Sequence, residues 1–199
     1  MENKINIGEI IKIGVILFLI TAVAAALLAF VNGKTAPLIE KNSLEKEQNA
    51  MMAVMPDAAE FKEAEISEEI RVLADGGEIN KAYTAVDAEG NVIGVCVITE
   101  TTGYDVGIQT VTGVGSDMKV TGIDIIAMNE TPGLGAKAAE ESFRSQYNGK
   151  SGEIGVSKSA ADDESIQAIS GATKTSNGVT AGVNIALKAA EFLLEGGNE

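Results

Sequence analysis

The feature that most constrains this chain is an uncharged apolar run near its N-terminus, from Ile13 to Val31. At about 1.5 Å per residue, a helix over this run just spans a hydrocarbon core of about 30 Å. A cleaved signal peptide is the competing interpretation, but its apolar region would be shorter, and Phe30 and Asn32 give no small-residue cleavage site after Ala29. We therefore predict a retained transmembrane helix in contact with membrane lipid.

The charge of the chain lies beyond this run. The net charge is −14, and the charged residues before position 32 cancel one another: Glu2, Lys4, Glu9 and Lys12. A domain this acidic argues against nucleic-acid binding, which needs a basic surface. A long domain behind a single N-terminal anchor is usually translocated. We expect a cell-membrane protein with a cytoplasmic N-terminus and an extracytoplasmic domain.

The residue types that the chain lacks narrow its chemistry. It contains no histidine, and Cys96 is its only cysteine. An internal disulfide and a cysteine metal cluster are therefore excluded, and a common general base is absent. We identify no catalytic residue and no metal site, so a redox function would require a bound cofactor.

Helix signals continue after the anchor. Residues 35–55 are predicted to form a second helix that opens at Thr35 or Ala36, with Pro37 in its first turn and Pro56 at its end. Three methionines near its end are expected to fill a core: Met51, Met52 and Met55. The predicted parts are 1–34 for the N-terminus and anchor, 35–79 for the membrane-proximal helix and connection, and 80–199 for a cofactor domain.

A weak internal repeat predicts the fold of that domain. Residues 86–98 match residues 114–126, and each contains a strand, a polar turn and a second strand with a glycine at the same place. We interpret them as two β-hairpins that pair in an antiparallel sheet. The glycine in each second strand predicts a bulge or a close approach of another backbone. Helices are predicted at about 136–147 and 176–195, and hairpins followed by helices give an α+β fold.

A turn rich in small and hydroxyl residues precedes the last predicted helix. It runs from Ser170 to Gly178, and the apolar residues that follow recur at helical spacing: Val179, Val183, Leu187, Ala190 and Leu194. Unpaired backbone N–H groups and the positive end of a helix dipole make such a start a seat for a phosphate. A plain hydroxyl helix cap is the alternative.

The tetrapeptide at 170–173, Ser-Gly-Ala-Thr, resembles the flavinylation motif of the FMN-binding domain family. The resemblance implies that a dedicated flavin transferase attaches FMN to Thr173 through a phosphoester. It also implies that neighbouring residues surround the phosphate: Ser170, Gly171, Ala172, Lys174 and Thr175. Lys174 would offset the phosphate charge, and Thr175 is the next candidate acceptor. The family often has an acidic residue three positions before the serine, where this chain has Gln167.

A second glycine-containing loop spans residues 129–137. The pattern Gly133-x-Gly135-x-x-Ala138 superficially fits a dinucleotide fingerprint, but that fingerprint requires a parallel βαβ unit, and a hairpin precedes this loop. The segment instead resembles a second signature of the FMN-binding domain family, a loop that lies against the flavin. This resemblance implies flavin contacts from Glu130, Thr131, Gly133, Leu134 and Gly135. Gly103 and Tyr104 resemble a third, shorter signature.

The resemblance to the FMN-binding domain covers about residues 80–185. With the anchor, the whole chain is similar to the G-subunit family of Rnf complexes, which couple ferredoxin:NAD oxidoreduction to Na⁺ or H⁺ movement. This implies an electron-carrying subunit with covalent FMN, whose partners are the other membrane and peripheral subunits. The alternatives are the C subunit of a sodium-pumping quinone reductase, an anchored flavin reductase and a cofactor-free assembly protein.

Overall fold

The computed structural model describes residues 7–195, and the chain divides into two compact units, Met1–Glu45 and Lys46–Glu199. The first contains most of helix α1, Ile7–Val54, which holds Pro37 in its interior. The prediction of a separate helix opening at Thr35 or Ala36 is wrong. Proline is tolerated in the first turn of a helix, which is why the sequence predicted a helix start there. Inside a long helix it removes one backbone hydrogen bond, and the bonds of the turns on either side keep the helix continuous.

A five-stranded antiparallel sheet forms the centre of the second unit. Its strands lie in the order β1-β2-β3-β4-β5. Their bounds are β1 Glu60–Ala64, β2 Gly77–Val86, β3 Val92–Thr102, β4 Val106–Gly115 and β5 Val120–Ala127, with the short helix α2 Glu68–Val72 between β1 and β2. The two predicted hairpins are β2–β3 and β4–β5, so the predicted α+β class with an antiparallel sheet is confirmed. The edge strand β1 lies outside both hairpins of the sequence repeat.

The repeated glycines mark bulges, as predicted. Gly94 pairs with Ala85 and Gly122 pairs with Gly113, and in each ladder the register shifts beside that pair. Another backbone also approaches closely, because a Cβ at Gly122 would lie 3.3 Å from the Cα of Val54. The last turn of α1 therefore packs directly against the sheet backbone at a position that carries no side chain.

Two apolar layers cover the two faces of this sheet. One face packs under α4, Thr173–Glu195, through residues such as Val97, Val179 and Val183. The other face holds Cys96 and Ile98 against the end of α1. Met51 and Met55 are buried there, as predicted, whereas Met52 is 59% exposed and the core prediction for it is wrong. The sheet thus lies between two helices.

Polar contacts fix the end of α1 to this unit. The Thr121 hydroxyl donates to the carbonyl of Val54 over 2.6 Å, and Lys81 Nζ lies 2.7 Å from the Glu47 carboxylate. The hydrogen bond from Lys81 to Glu47 raises the pKa of Lys81 above its ordinary value. The compact unit that contains the sheet therefore includes the end of α1 from Lys46 onward.

The segment after the sheet is less regular than predicted. In place of one helix over 136–147 there are three short pieces: the 3₁₀ turn Gly135–Ala139, the helix α3 Glu141–Arg144 and the 3₁₀ turn Ser145–Tyr147. A small parallel pair follows, β6 Gly155–Ser157 with β7 Ser165–Gln167. The Asn184 side chain on α4 holds both backbone groups of Ile154 at 2.9 Å. These pieces lead the chain back to the start of α4.

Candidate functional site

A cleft of about 500 Å³ opens where three distant segments meet. This volume falls within the range of small-molecule sites, about 300–1,000 Å³. The segments are the β3–β4 turn, the loop after β5 and the start of α4. The lining residues are Tyr104, Glu130, Thr131, Leu134, Gly135, Gly171, Ala172, Thr173, Lys174 and Thr175. All ten are residues that the sequence predicts for a cofactor site.

The start of α4 forms one wall of the cleft. Helix α4 begins at Thr173, earlier than the predicted start at 176. Gly171 has a φ of +79° in the preceding turn, and the Ala172 N–H closes that turn on the carbonyl of Ile169. Among the described residues, the backbone N–H groups of Thr173 and the next two positions have no acceptor. These N–H groups belong to residues that line the cleft, and they lie at the positive end of the α4 dipole.

The two threonines at this helix start differ in their surroundings. Thr173 is half-buried on the cleft wall, and no hydrogen bond occupies its hydroxyl within residues 7–195. Thr175 is 1% exposed, and its hydroxyl donates to Oε2 of Glu130 over 2.9 Å. Of these two threonine hydroxyls, that of Thr173 therefore lies at the cleft without a hydrogen-bond partner among the described residues.

Glu130 is the central polar group of the site. It is only 8% exposed. Its Oε1 accepts hydrogen bonds from the backbone N–H of Tyr104 at 2.9 Å and of Asp105 at 3.3 Å, while Oε2 accepts from Thr175. From the loop after β5, one carboxylate thereby contacts both of the other segments. The sequence singled out Glu130 but gave no sign of these partners.

Two large side chains lie exposed at the cleft. Tyr104 is 74% exposed, and Leu134 is 45% exposed. The ammonium of Lys174 lies 6.0 Å from the centroid of the Tyr104 ring, at the outer limit of a cation–π contact. A planar aromatic ligand in the cleft would cover apolar surface that is otherwise exposed to water, and Lys174 adds positive charge.

Three predicted residues do not line the cleft. Gly103 lies behind it, because a Cβ there would sit 2.4 Å from Glu130 Oε1. Gly133 has a φ of +77°, and open space surrounds its Cβ position. Ser170 is exposed in the turn before α4. The structure thus gives Gly103 and Gly133 backbone and packing roles.

Sequence reasoning missed Ser176 as a support of this site. Its buried hydroxyl accepts from the N–H of Ile169 at 3.0 Å and bonds the carbonyl of Ala172 at 3.1 Å, which braces the turn in front of Thr173. The sequence signal that could have identified Ser176 is a hydroxyl residue in the first turn of a helix, because such side chains bond nearby backbone groups.

The remaining reactive groups lie elsewhere. Within residues 7–195, no cluster of three or more His, Cys, Asp or Glu side chains is arranged to hold a metal ion. Cys96 is buried in the core between the sheet and α1, and burial raises the pKa of its thiol to about 12. The thiol is therefore not a nucleophile near neutral pH.

Two family models match parts of this chain. A family model described as FMN-binding domain matches residues 103–188, a range that contains all three segments. A second model, described as RnfG N-terminal region, matches residues 1–54. The chain therefore carries an FMN-binding domain behind its N-terminal helix.

Several known proteins resemble the chain over most of its length. The G subunit of the Na(+)-translocating ferredoxin:NAD(+) oxidoreductase complex of Acetobacterium woodii is 39% identical, over 94% of this chain and 97% of that protein. The G subunit of an ion-translocating oxidoreductase complex of Methanosarcina acetivorans is 35% identical, over 86% and 89%. The crystal structure of Shewanella oneidensis NqrC aligns with a TM-score of 0.48 and 19% identity, over 71% of this chain and 70% of that one.

Proposed function

Because this chain belongs to the family of G subunits of ion-translocating ferredoxin:NAD(+) oxidoreductase complexes, we propose that it is the membrane-anchored flavoprotein subunit that relays electrons in such a complex. Its relatives are named for Na(+) in Acetobacterium woodii and for protons in Clostridium ljungdahlii. The proposal therefore covers ion translocation in general and assigns neither ion.

Covalent attachment of FMN to Thr173 is the central part of this proposal. The observation that carries it is the contrast between two hydroxyls on one helix start, since that of Thr173 is free at the cleft and that of Thr175 is engaged by Glu130. A phosphoester on Thr173 would lie beside unfilled N–H groups and the dipole of α4. Lys174 would supply a positive charge beside it.

The cleft has the surfaces that a flavin needs. Leu134 and Tyr104 offer exposed apolar area for the ring system, and Thr131 adds a polar group to the lining. When bound, FMN supplies one- or two-electron transfer, and the protein sets its potential through burial and hydrogen bonding. The residues of this chain hold and orient the flavin, and we assign none of them an independent catalytic role.

The N-terminal helix supplies the membrane anchor. Among the described residues, one helix is long and apolar enough to cross a membrane, and it is this one. Its most apolar window has a mean hydropathy of 2.8. We propose a single pass with a cytoplasmic N-terminus and an extracytoplasmic flavin domain. The partners would be lipid around the helix, the other subunits of the complex, and a flavin transferase during maturation.

The experiment that tests this function combines intact mass with co-purification. The chain is produced with a flavin transferase, and its mass should rise by one FMN less one water. Thr173→Ala should abolish the adduct, while Thr173→Ser retains an acceptor hydroxyl as a matched control. An adduct that persists in Thr173→Ala would move the attachment elsewhere. Purification without other redox subunits would favour an anchored flavin reductase, and a wild-type chain without flavin would favour an assembly protein.

A further inference from the structure

We infer that Glu130 is a positioning residue whose carboxylate joins the three segments of the cleft before any flavin arrives. The inference deepens the proposed function, because it concerns the same cleft, and it rests on that function only where flavin attachment is measured. In this role Glu130 contacts other protein groups, although the position of Glu130 in a loop beside the cleft would suggest a direct flavin contact.

Hydrogen-bond geometry is the first support. Each oxygen of Glu130 is committed to a different segment, Oε1 to the β3–β4 turn and Oε2 to α4. Charge-assisted hydrogen bonds of this kind are about twice as strong as neutral ones. The carboxylate therefore holds the turn that carries Tyr104 and the helix that carries Thr173 at a fixed separation.

Two glycines leave the space that this carboxylate fills. A Cβ at Gly103 would lie 2.4 Å from Oε1, and a Cβ at Gly135 would lie 2.4 Å from Oε2 and 2.6 Å from the Thr175 hydroxyl. Neither glycine has a positive φ, so conformational freedom does not account for them. The carboxylate of Glu130 is the nearest neighbour of both Cβ positions, and Ile108 Cδ1 also crowds that of Gly103 at 2.6 Å.

The charge of Glu130 is compensated without a cation. Among the described residues, no lysine or arginine forms an ion pair with it. Two backbone N–H groups, one hydroxyl and the positive end of α4 surround it instead. Such a group is costly to bury unless every hydrogen bond is made, so the carboxylate stabilises only the assembled arrangement of the three segments.

Amide exchange on the unflavinylated full-length chain in detergent tests the contact directly. Glu130→Ala should raise native-state exchange at the N–H of Tyr104 and Asp105 by about tenfold or more, the factor for one charge-assisted hydrogen bond. Exchange at Val97 in the central strand reports global stability and should rise less. Glu130→Gln should restore protection, because its amide oxygen accepts from the turn while its NH₂ group donates to Thr175.

Unchanged exchange at Tyr104 and Asp105 in folded Glu130→Ala would overturn the inference. Should that variant fail to fold, Thr175→Val decides, since it breaks only the contact to α4. The matched control is Thr180→Val, which removes another buried hydroxyl from the same helix, one bonded to Tyr147 at 2.7 Å. Thr175→Val should loosen the Tyr104 turn and Thr180→Val should not; equal exchange in the two variants would reject the positioning role.

The rate of flavin attachment separates this inference from the proposed function. With transferase and a flavin donor in excess, Glu130→Ala should acquire the adduct about tenfold more slowly, and Glu130→Gln should recover most of the rate. A wild-type rate in folded Glu130→Ala would contradict the positioning role while leaving attachment at Thr173 intact. A wild-type chain that takes no flavin would instead reject the proposed function, and the exchange result would still stand.

Discussion

The Thr175 hydroxyl donates to the carboxylate of Glu130 over 2.9 Å, although the two residues are 45 positions apart in the sequence. This bond joins the loop after the sheet to the start of the last helix. It also distinguishes two hydroxyls that look alike in sequence, because it occupies Thr175 and leaves that of Thr173 free at the cleft. Under the proposed attachment at Thr173, the choice between the two hydroxyls would depend on this tertiary contact.

Filling the space beside Glu130 should damage the cleft. Gly135→Ala would place a Cβ 2.4 Å from Oε2, and we expect a loss of about 1–3 kcal/mol in unfolding free energy, as in other overpacked sites. Gly155→Ala is the matched control, since its nearest neighbours would lie at ordinary contact distance, 3.6 and 3.7 Å. Denaturant unfolding of both variants tests this, and equal stabilities would contradict it.

Leu134 should affect the flavin environment without affecting attachment. Leu134→Ala removes exposed apolar surface at the cleft, worth at most about 1.5–3 kcal/mol of contact with a docked ring. We expect a complete adduct with altered visible absorption and stronger fluorescence. Gly133→Ala strains a φ of +77° but faces open space, so it should lower stability and leave the spectrum unchanged. Identical spectra in wild type and Leu134→Ala would remove Leu134 from the site.

The folded domain should require the end of α1. A chain that begins at Lys46 retains Met51, Val54 and Met55, all of which are buried. A chain that begins at Pro56 loses them, at a cost of roughly 5 kcal/mol of apolar burial. Thermal unfolding followed by circular dichroism should show a cooperative transition for the longer form. A shorter form of equal stability would show that the domain folds without the end of α1.

The stability of the domain should fall in alkaline solution because of Cys96. Burial raises the pKa of its thiol from 9.0 to about 12, so between these values the folded state keeps a proton that the unfolded state has lost. Stability is then complete below pH 9 and declines as the pH rises toward 12, by at most about 1.4 kcal/mol per pH unit. Cys96→Ala should flatten the slope measured between pH 9 and 10. An unchanged slope would assign the decline to other groups.

Membrane orientation can be read with single cysteines, because the native thiol is buried. Lys158→Cys lies on an exposed loop of the domain, and Glu9→Cys lies near the start of α1. In intact cells whose envelope admits the reagent, an impermeant maleimide should modify Lys158→Cys and spare Glu9→Cys. The reverse pattern would place the flavin domain in the cytoplasm.

Local patterns account for what the sequence predicts well. The hairpins were predictable because each repeat contains two strand-like runs joined by a short polar turn, so each pairing is encoded within a few residues. The strand Glu60–Ala64 and the pair β6–β7 were missed, since each is short and pairs with distant or irregular partners. In the site, each motif was visible on its own. Their meeting at Glu130 was not, because that contact depends on how sheet and helix pack.

The turn before Thr173 also bears on whether residues 170–173 could be modified outside this domain. Gly171 has a φ of +79°, and a Cβ there would lie 3.2 Å from Leu134 Cδ2. A side chain at this position would therefore be strained and crowded, whatever a modifying enzyme requires. In an unstructured peptide tag with the same four residues, neither restriction exists. Tolerance to substitution at this glycine, measured in a tag and in the intact domain, would separate the demands of the fold from those of the enzyme.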